Sequence, residues 1–215
     1  MLEVQLAGGM QLRWQSTHLP PPASRRARGL LAYLALNAGP HSRAHLAALF
    51  WLDVLDESAR GSLRVALTEL RKALGPAAGY VQATRDTVAL AGPDLEVDAR
   101  AFQAALDDGD PEQALAACSE PILDGFDEDW ALEARDAHAH HLAEVLDEAA
   151  ARASDPADAI RLTRLQVALD PLAEAPSRRL IERLAAAGDR AAAISVGRQL
   201  SERLRRQLGI APSPR

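Results

Sequence analysis

Aromatic residues and cysteines are both scarce in this chain. Phe, Trp and Tyr make up only 4% of the 215 residues, so leucine and alanine must fill most of the core. The single cysteine, Cys118, excludes an internal disulfide framework and fits a reducing compartment. No apolar run approaches the roughly 20 residues that a membrane-spanning helix requires, and the N-terminus alternates around Glu3 rather than forming a signal peptide. We therefore expect a soluble cytoplasmic protein with no membrane partner.

Basic charge is also in short supply, but it is unevenly distributed. The formal net charge is −6. Residues 1–95 contain 10 Arg and Lys against 7 Asp and Glu, whereas residues 96–215 contain 14 against 23. The acidic excess lies in residues 96–158, with 3 basic and 18 acidic residues. We call residues 1–95 the head and residues 96–215 the body. A modestly basic head before an acidic body is typical of a DNA-binding domain joined to a protein-binding domain.

Residues 56–75 form the most informative segment, which predicts a capped amphipathic helix. At about 100° per residue, one face collects only apolar side chains: Ala59, Leu63, Ala66, Leu67, Leu70 and Leu74. The adjoining flank carries Arg60, Arg64, Thr68 and Arg71, with Gly61, Val65 and Lys72 just beyond. Such a helix can lie in a major groove. The alternative is an ordinary surface helix with solvated arginines.

The segments around this helix predict a winged helix over residues 1–95. Residues 2–6 and 10–14 alternate on either side of Gly8-Gly9, which predicts a hairpin. Ser24 and Ser42 are placed to cap helices over residues 25–36 and 43–50. Residues 80–83 and 88–90 predict a second hairpin with Arg85 at its tip, although Arg85-Asp86 is not a favoured hairpin turn. The second and third helices would then form a helix-turn-helix, and the last hairpin the wing.

Residues 96–215 predict an all-α domain. Three segments start alike. Each has an aspartate at the helix cap, followed four and five residues later by Ala and then Leu or Ile. The three aspartates are Asp110, Asp155 and Asp189. The last two starts are 34 residues apart, which is the tetratricopeptide period. The first interval is 45 residues, so we place an insertion at residues 120–129. Stacked helix pairs of this kind form concave surfaces that bind polypeptide; a plain helical bundle is the alternative.

Six sequence motifs follow one another along nearly the whole chain. They occupy residues 25–34, 42–53, 59–75, 96–98, 169–174 and 208–214. In their order the chain resembles the Streptomyces antibiotic regulatory protein family, whose members join a response-regulator-type winged helix to a bacterial transcriptional activation domain. Two positions depart from the family pattern: Leu52 stands where proline is usual before Asp53, and Ser62 stands where Asn is usual. The second departure bears on base preference, since Ser discriminates adenine less than Asn does.

The resemblance implies a transcriptional activator that binds promoter direct repeats, as a dimer or as tandem copies, and contacts RNA polymerase. In larger relatives an ATPase and sensor region follows the activation domain. The chain is expected to be either a short family member or a fragment of a longer one. A second hypothesis is a tetratricopeptide-type scaffold or signalling adaptor whose winged helix does not bind DNA.

We predict that double-stranded DNA is contacted by eleven residues of the head. Arg60, Arg64, Val65 and Thr68 would read base edges in the major groove, Gly61 would allow close approach, and Ser62 would influence base preference. Phosphates would be held by Ser42, Arg43, Arg71, Lys72 and Arg85. The cluster of Arg25, Arg26 and Arg28 has three interpretations: a DNA-backbone contact, a solvated helix end, or a contact with the second domain.

The remaining polar clusters do not predict catalysis. Asp136, His138, His140, His141 and Glu144 could place metal ligands on one helix face, and a metal-dependent enzyme built on them is the third hypothesis; incidental surface histidines are the simpler interpretation. Cys118 is expected to be a small buried residue. The sequence has neither a phosphate-binding glycine loop nor a nucleophile elbow. We therefore predict no enzyme activity, cofactor or bound metal.

Overall fold

The N-terminal part of the molecule combines short strands with three helices. A computed structural model describes residues 1–52 and 56–213. Its elements up to residue 90 are, in chain order, β1 (Leu2–Gln5), β2 (Gln11–Trp14), β3 (Thr17–Leu19), α1 (Arg25–Leu36), β4 (His41–Ser42), α2 (Arg43–Phe50), α3 (Asp56–Leu74), a 3-10 helix (Gly75–Tyr80), β5 (Val81–Ala83) and β6 (Thr87–Leu90).

The C-terminal part is helical after one further strand. Its elements are β7 (Leu95–Val97), α4 (Asp98–Asp107), α5 (Pro111–Ala117), α6 (Asp129–Arg152), α7 (Pro156–Leu169), α8 (Glu174–Ala186) and α9 (Arg190–Leu208). Helices α6 to α9 pack one against the next in sequence order. The predicted fold class, a small winged helix followed by a tetratricopeptide-like all-α region, is confirmed. No helix in the described part of the chain has the length and apolar character to span a bilayer.

A strand from the start of the second region forms one edge of the N-terminal sheet. Its order is β3-β2-β1-β7, with β1 antiparallel to β2 and parallel to β7. The carboxylate of Asp98, just after β7, accepts hydrogen bonds from the main-chain N–H groups of Leu6 and Ala7, each at 2.9 Å. The predicted boundary between residues 95 and 96 falls inside β7. The division into domains 1–95 and 96–215 stays a prediction.

A second, three-stranded sheet forms the wing. Its order is β4-β6-β5, so the predicted hairpin is present and β4 joins it along β6. Within this sheet Ser42 pairs with Thr87 and His41 with Val88. The sequence did not predict β4, because two residues are too few to show an alternating pattern.

The predicted helix starts agree with the observed caps. Ser24 Oγ accepts from Ala27 N at 3.2 Å, and Ser42 Oγ accepts from His45 N at 3.1 Å. Asp110, Asp155 and Asp189 cap α5, α7 and α9 in the same way. The predicted cap of α3, like the motif positions Asp53 and Pro214, lies outside the residues or side chains that the structure describes.

The predicted insertion at residues 120–129 is a loop that packs back on the head. Ile122 forms a bridge with Ala7, and Ile122, Leu123 and Phe126 are all buried. A continuous core of buried side chains extends from Leu2 through this loop to Leu162. The insertion therefore fills the junction between the two regions.

An aromatic cluster and one arginine fasten the head to α6. The ring of Trp130 lies 5.4 Å from that of Tyr33 and 5.9 Å from that of Phe50, centroid to centroid. Arg25 forms ion pairs with Asp127 at 3.1 Å and Glu128 at 3.2 Å. The charge of Glu128 raises the pKa of Arg25. Of the three interpretations of the arginine cluster, contact with the second region is the one observed for Arg25.

Candidate nucleic-acid interface

The apolar face of α3 is buried as the sequence predicted. Its six stripe residues are at most 4% exposed: Ala59, Leu63, Ala66, Leu67, Leu70 and Leu74. On the opposite side Val65 is 60% exposed, which is unusual for a branched aliphatic side chain. The helix is thus fixed by one face and presents the rest of its surface to solvent.

The cationic flank of α3 is left without carboxylate partners. Arg60, Arg64 and Lys72 are exposed along α3, and Arg85 is exposed at the tip of the wing. Among the described side chains, no Asp or Glu pairs with any of these four. Water solvates unpaired cations at a surface, and together they attract a polyanion. The arrangement is therefore suited to binding phosphodiester backbone.

Five of the predicted contact residues surround one groove between α2, α3 and the wing. The groove has a volume of about 800 Å³. Its lining includes Ser42, Arg43, Arg60, Arg64 and Arg85, with Asp86 as an acidic neighbour. Residues from positions 42 to 85 of the chain thus converge, as the helix-turn-helix and wing interpretation requires.

Three other predicted residues lie on the far flank of α3. Gly61, Ser62 and Val65 line a shallower groove together with Arg26 and Trp51. Arg26 belongs to the arginine cluster at the start of α1 and is exposed. The predicted contact residues consequently occupy both sides of α3 rather than a single patch.

Several predicted contact side chains already make hydrogen bonds within the protein. Arg43 Nε donates to the main-chain oxygen of Thr84 at 3.0 Å, and Arg71 Nη2 donates to that of Val81 at 3.2 Å. Thr68 Oγ1 donates to the main-chain oxygen of Arg64 at 2.9 Å. Each of these side chains remains at the surface, but part of its hydrogen-bonding capacity is used.

The wing turn is held by Thr84, which was not among the predicted residues. Thr84 Oγ1 accepts from the main-chain N–H groups of Asp86 at 3.2 Å and Thr87 at 3.0 Å. Threonine commonly closes turns in this way. The signal was present in the sequence, since Thr84 directly precedes the predicted tip, and it explains how Arg85-Asp86 forms a turn without glycine.

The histidine cluster does not converge on a common centre. His140 forms an ion pair with Glu144 at 3.4 Å on the surface. His138 is buried instead, with Nε2 3.1 Å from the main-chain oxygen of Glu120 and 3.5 Å from Cys118 Sγ. In the part of the chain that the structure describes, no three His, Cys, Asp or Glu side chains are grouped to hold a metal ion.

Burial governs the titration of the Cys118 and His138 pair. It lowers the pKa of His138, against the opposing effects of the Glu120 carbonyl and the Asp98 charge. It raises the pKa of Cys118 to about 12. The thiol is therefore protonated at neutral pH and a poor nucleophile. The prediction that Cys118 is a small buried residue is confirmed.

Comparison with known proteins identifies the second region. A family model described as the bacterial transcriptional activator domain matches residues 94–215, more than half of the chain. The chain belongs to the bacterial transcriptional activator domain family. The resemblance to Streptomyces antibiotic regulatory proteins is confirmed, and family and fold together point to a transcriptional regulator.

One solved structure shares the fold over the whole chain. It is described as Mycobacterium tuberculosis EmbR in complex with a low affinity phosphopeptide, and it superposes with a TM-score of 0.66 at 24% sequence identity. The match covers 99% of this chain and 62% of that chain, so this activator-domain protein spans about three fifths of the solved chain's length. No curated protein matches the sequence.

Proposed function

We propose that this protein binds double-stranded DNA by inserting α3 into the major groove and activates transcription by contacting RNA polymerase. The observation that carries the proposal is the construction of α3. Its apolar stripe is buried, while Arg60 and Arg64 on the adjoining flank are exposed without carboxylate partners among the described side chains. A helix held in this way can enter a groove without rearranging the core.

Base recognition is assigned to the exposed centre of α3. Arginine can donate two hydrogen bonds to O6 and N7 of guanine, worth about 1–3 kcal/mol of discrimination for each good pair. Arg60 and Arg64 are the side chains for this role, with Thr68 one turn further on. Val65 can pack against a thymine methyl group because it is 60% exposed. Gly61 leaves room for the groove wall, since a Cβ there would meet no atom within 4 Å.

Phosphate contacts are assigned to the borders of the same surface. Ser42, Lys72 and Arg85 reach outward around α3, and Arg43 and Arg71 belong to the same border. Contact with about five phosphates gives a slope of log K against log salt near −4 to −5. Such contacts fix the register of the protein on the duplex without reading sequence.

Polymerase contact is assigned to the helical region. Family membership supports this role, because residues 94–215 match the activator domain. The surface of stacked helix pairs is suited to polypeptide partners. A single winged helix buries little DNA surface, so we expect binding as a dimer or as tandem copies on direct repeats.

The test compares two arginine variants on a duplex selected from a randomised pool by the wild-type protein. Arg64→Ala should weaken binding about 10- to 100-fold, because a bidentate contact is lost. Arg161→Ala is the matched control, since Arg161 is an exposed arginine on α7 that pairs with Asp158 and is not among the predicted contact residues. Equal affinity of both variants and the wild type, with an unchanged thermal midpoint, would exclude DNA reading by α3. Failure of the wild type to enrich any duplex from the pool would favour the scaffold hypothesis.

A further inference from the structure

Arg43 forms hydrogen bonds with the main chain on both sides of the wing tip. The side chain of Arg43 donates from Nε to the main-chain oxygen of Thr84 at 3.0 Å. The main-chain N–H of Arg43 donates to the oxygen of Asp86 at 2.8 Å. These two oxygens belong to the residues that flank Arg85. Arg43, at the first turn of α2, therefore ties the wing tip to the helix-turn-helix.

The opposite end of the same strand has a second tie. Arg71, in the last turn of α3, donates from Nη2 to the main-chain oxygen of Val81 at 3.2 Å. Val81 is the first residue of β5 and Thr84 follows its last, and the strand is only three residues long. The two helices of the helix-turn-helix thus each hold one end of the wing strand.

We infer that Arg43 is a positioning residue for Arg85 rather than a phosphate contact in its own right. This inference rests on the proposed DNA-binding function and reassigns one of its contact residues. Through the bond to Thr84, Arg43 sets where the Arg85 guanidinium stands beside the groove lined by Arg60 and Arg64. The bond from Arg71 to Val81 supports the same placement from the other end of β5.

Short hairpins need such support. The hairpin strands β5 and β6 have three and four residues, and the third strand of the wing, β4, adds only two; a hairpin of this size is marginal by itself. A wing that moved freely would lose conformational entropy when Arg85 met a phosphate, and affinity would fall accordingly. Fixing the turn before binding removes that loss.

Glutamine and methionine separate the two roles of Arg43. The Nε2 of glutamine occupies the same place along the side chain as Nε of arginine, so Arg43→Gln removes the charge but keeps the donor to Thr84. Arg43→Met has similar length but neither donor nor charge. Both variants keep the main-chain bond to Asp86.

The experiment measures affinity for the selected duplex at several salt concentrations. Arg43→Gln should bind within about twofold of the wild type with the same salt slope, because no phosphate contact is lost. Arg43→Met should bind about fivefold more weakly, as expected for one lost hydrogen bond. Its salt slope should become shallower by about 0.9, as in Arg85→Ala, because the Arg85 contact is lost with it.

A double variant tests whether the two residues act together. Arg43→Met combined with Arg85→Ala should bind no more weakly than the weaker of the two single variants, since both remove one contact. Additive losses would contradict the inference. So would a salt slope that falls by about 0.9 in Arg43→Gln, because that result makes Arg43 itself the phosphate contact.

The outcome can be separated from the fate of the proposed function. If Arg43→Met fails to fold, the salt slope of Arg43→Gln decides alone, as its donor is retained. If Arg64→Ala lowers affinity while Arg43→Gln matches Arg43→Met, the DNA-binding proposal stands and the positioning role is wrong. If neither Arg64→Ala nor Arg85→Ala changes binding, the DNA-binding proposal itself fails.

Discussion

Two exposed arginines of the head and two crosslinking arginines of the helical body have opposite environments. In the head, Arg60 and Arg64 extend into solvent with no carboxylate partner among the described side chains. In the body, Arg135 donates to the main-chain oxygens of Ile122, Leu123 and Phe126. Arg183 likewise bonds the main-chain oxygens of Ala159 and Ala150, each at 3.2 Å.

This contrast shows that the chemical role of an arginine depends on which groups surround it. Carbonyl groups that converge on a guanidinium turn it into a structural crosslink, because each takes one of its five donors. An arginine on an outward helix flank keeps those donors for a phosphate or a base. The body nevertheless contains more basic residues than the head, 14 against 10, so a count of basic residues alone would have placed the proposed DNA-binding surface in the wrong region.

Among the tests of this contrast between exposed and crosslinking arginines, the largest expected effect is a loss of stability. Arg135→Ala should lower the free energy of unfolding by about 3 kcal/mol, because three main-chain oxygens of the buried junction loop lose their donor. Urea denaturation measures this change. The DNA affinity of the folded fraction should remain that of the wild type. A loss below about 0.5 kcal/mol would mean that water replaces the guanidinium, and that Arg135 resembles the arginines of the head.

The next effect concerns the head and leaves stability unchanged. Arg60→Lys keeps the positive charge but removes the bidentate donor geometry. We expect the preference for the selected duplex over a scrambled one to fall about tenfold, while the salt slope stays constant. Competition binding measures the preference. If specificity were retained and only the salt slope changed, Arg60 would be a phosphate contact and not a base reader.

A smaller effect depends on pH and lies in the body. Burial lowers the pKa of His138 in the folded protein. As the pH falls below about 6.5, the His138 imidazole is therefore protonated in the unfolded chain before it is protonated in the folded one. The free energy of unfolding should therefore fall as the pH drops from 7 toward the folded pKa. His138→Gln should flatten this part of the pH profile. His18→Gln, an exposed substitution on β3, is the control and should leave the wild-type profile in place.

The smallest effect is expected at an exposed ion pair. Arg161 and Asp158 are three residues apart on α7, with side chains 61% and 57% exposed. Arg161→Ala should change the free energy of unfolding by about 0.5 kcal/mol or less, because solvent screens such pairs. Thermal unfolding of Arg161→Ala and Arg135→Ala, measured side by side, tests this directly. Equal losses in both variants would remove the distinction between crosslinking and solvated arginines in the body.

Local patterns predicted the elements that depend on neighbouring residues. Ser24 and Ser42 marked the starts of α1 and α2, and the apolar stripe of α3 agreed with burial at every position. Caps and helical periodicity are written within a few residues, so the sequence shows them directly. The wing hairpin was predicted for the same reason.

Features that join distant parts of the chain were not predicted. β3 and β7 have three residues each, too few for an alternating pattern to be distinct. No local pattern indicated that Arg43 would bond Thr84, 41 positions away. Contact with the second domain was one of three interpretations for Arg25, but no pattern singled out Asp127, 102 positions away, as its partner. Such contacts arise from tertiary packing, which local propensity does not encode.

The pairing of β1 with β7 has a consequence for the order of synthesis. The first strand leaves the ribosome early, yet its parallel neighbour and the carboxylate that accepts from Leu6 and Ala7 follow about 90 residues later. Until translation has passed Asp98, the nascent head has an open edge next to β1. The head of the molecule therefore completes its fold only after the first residues of the helical region have been made.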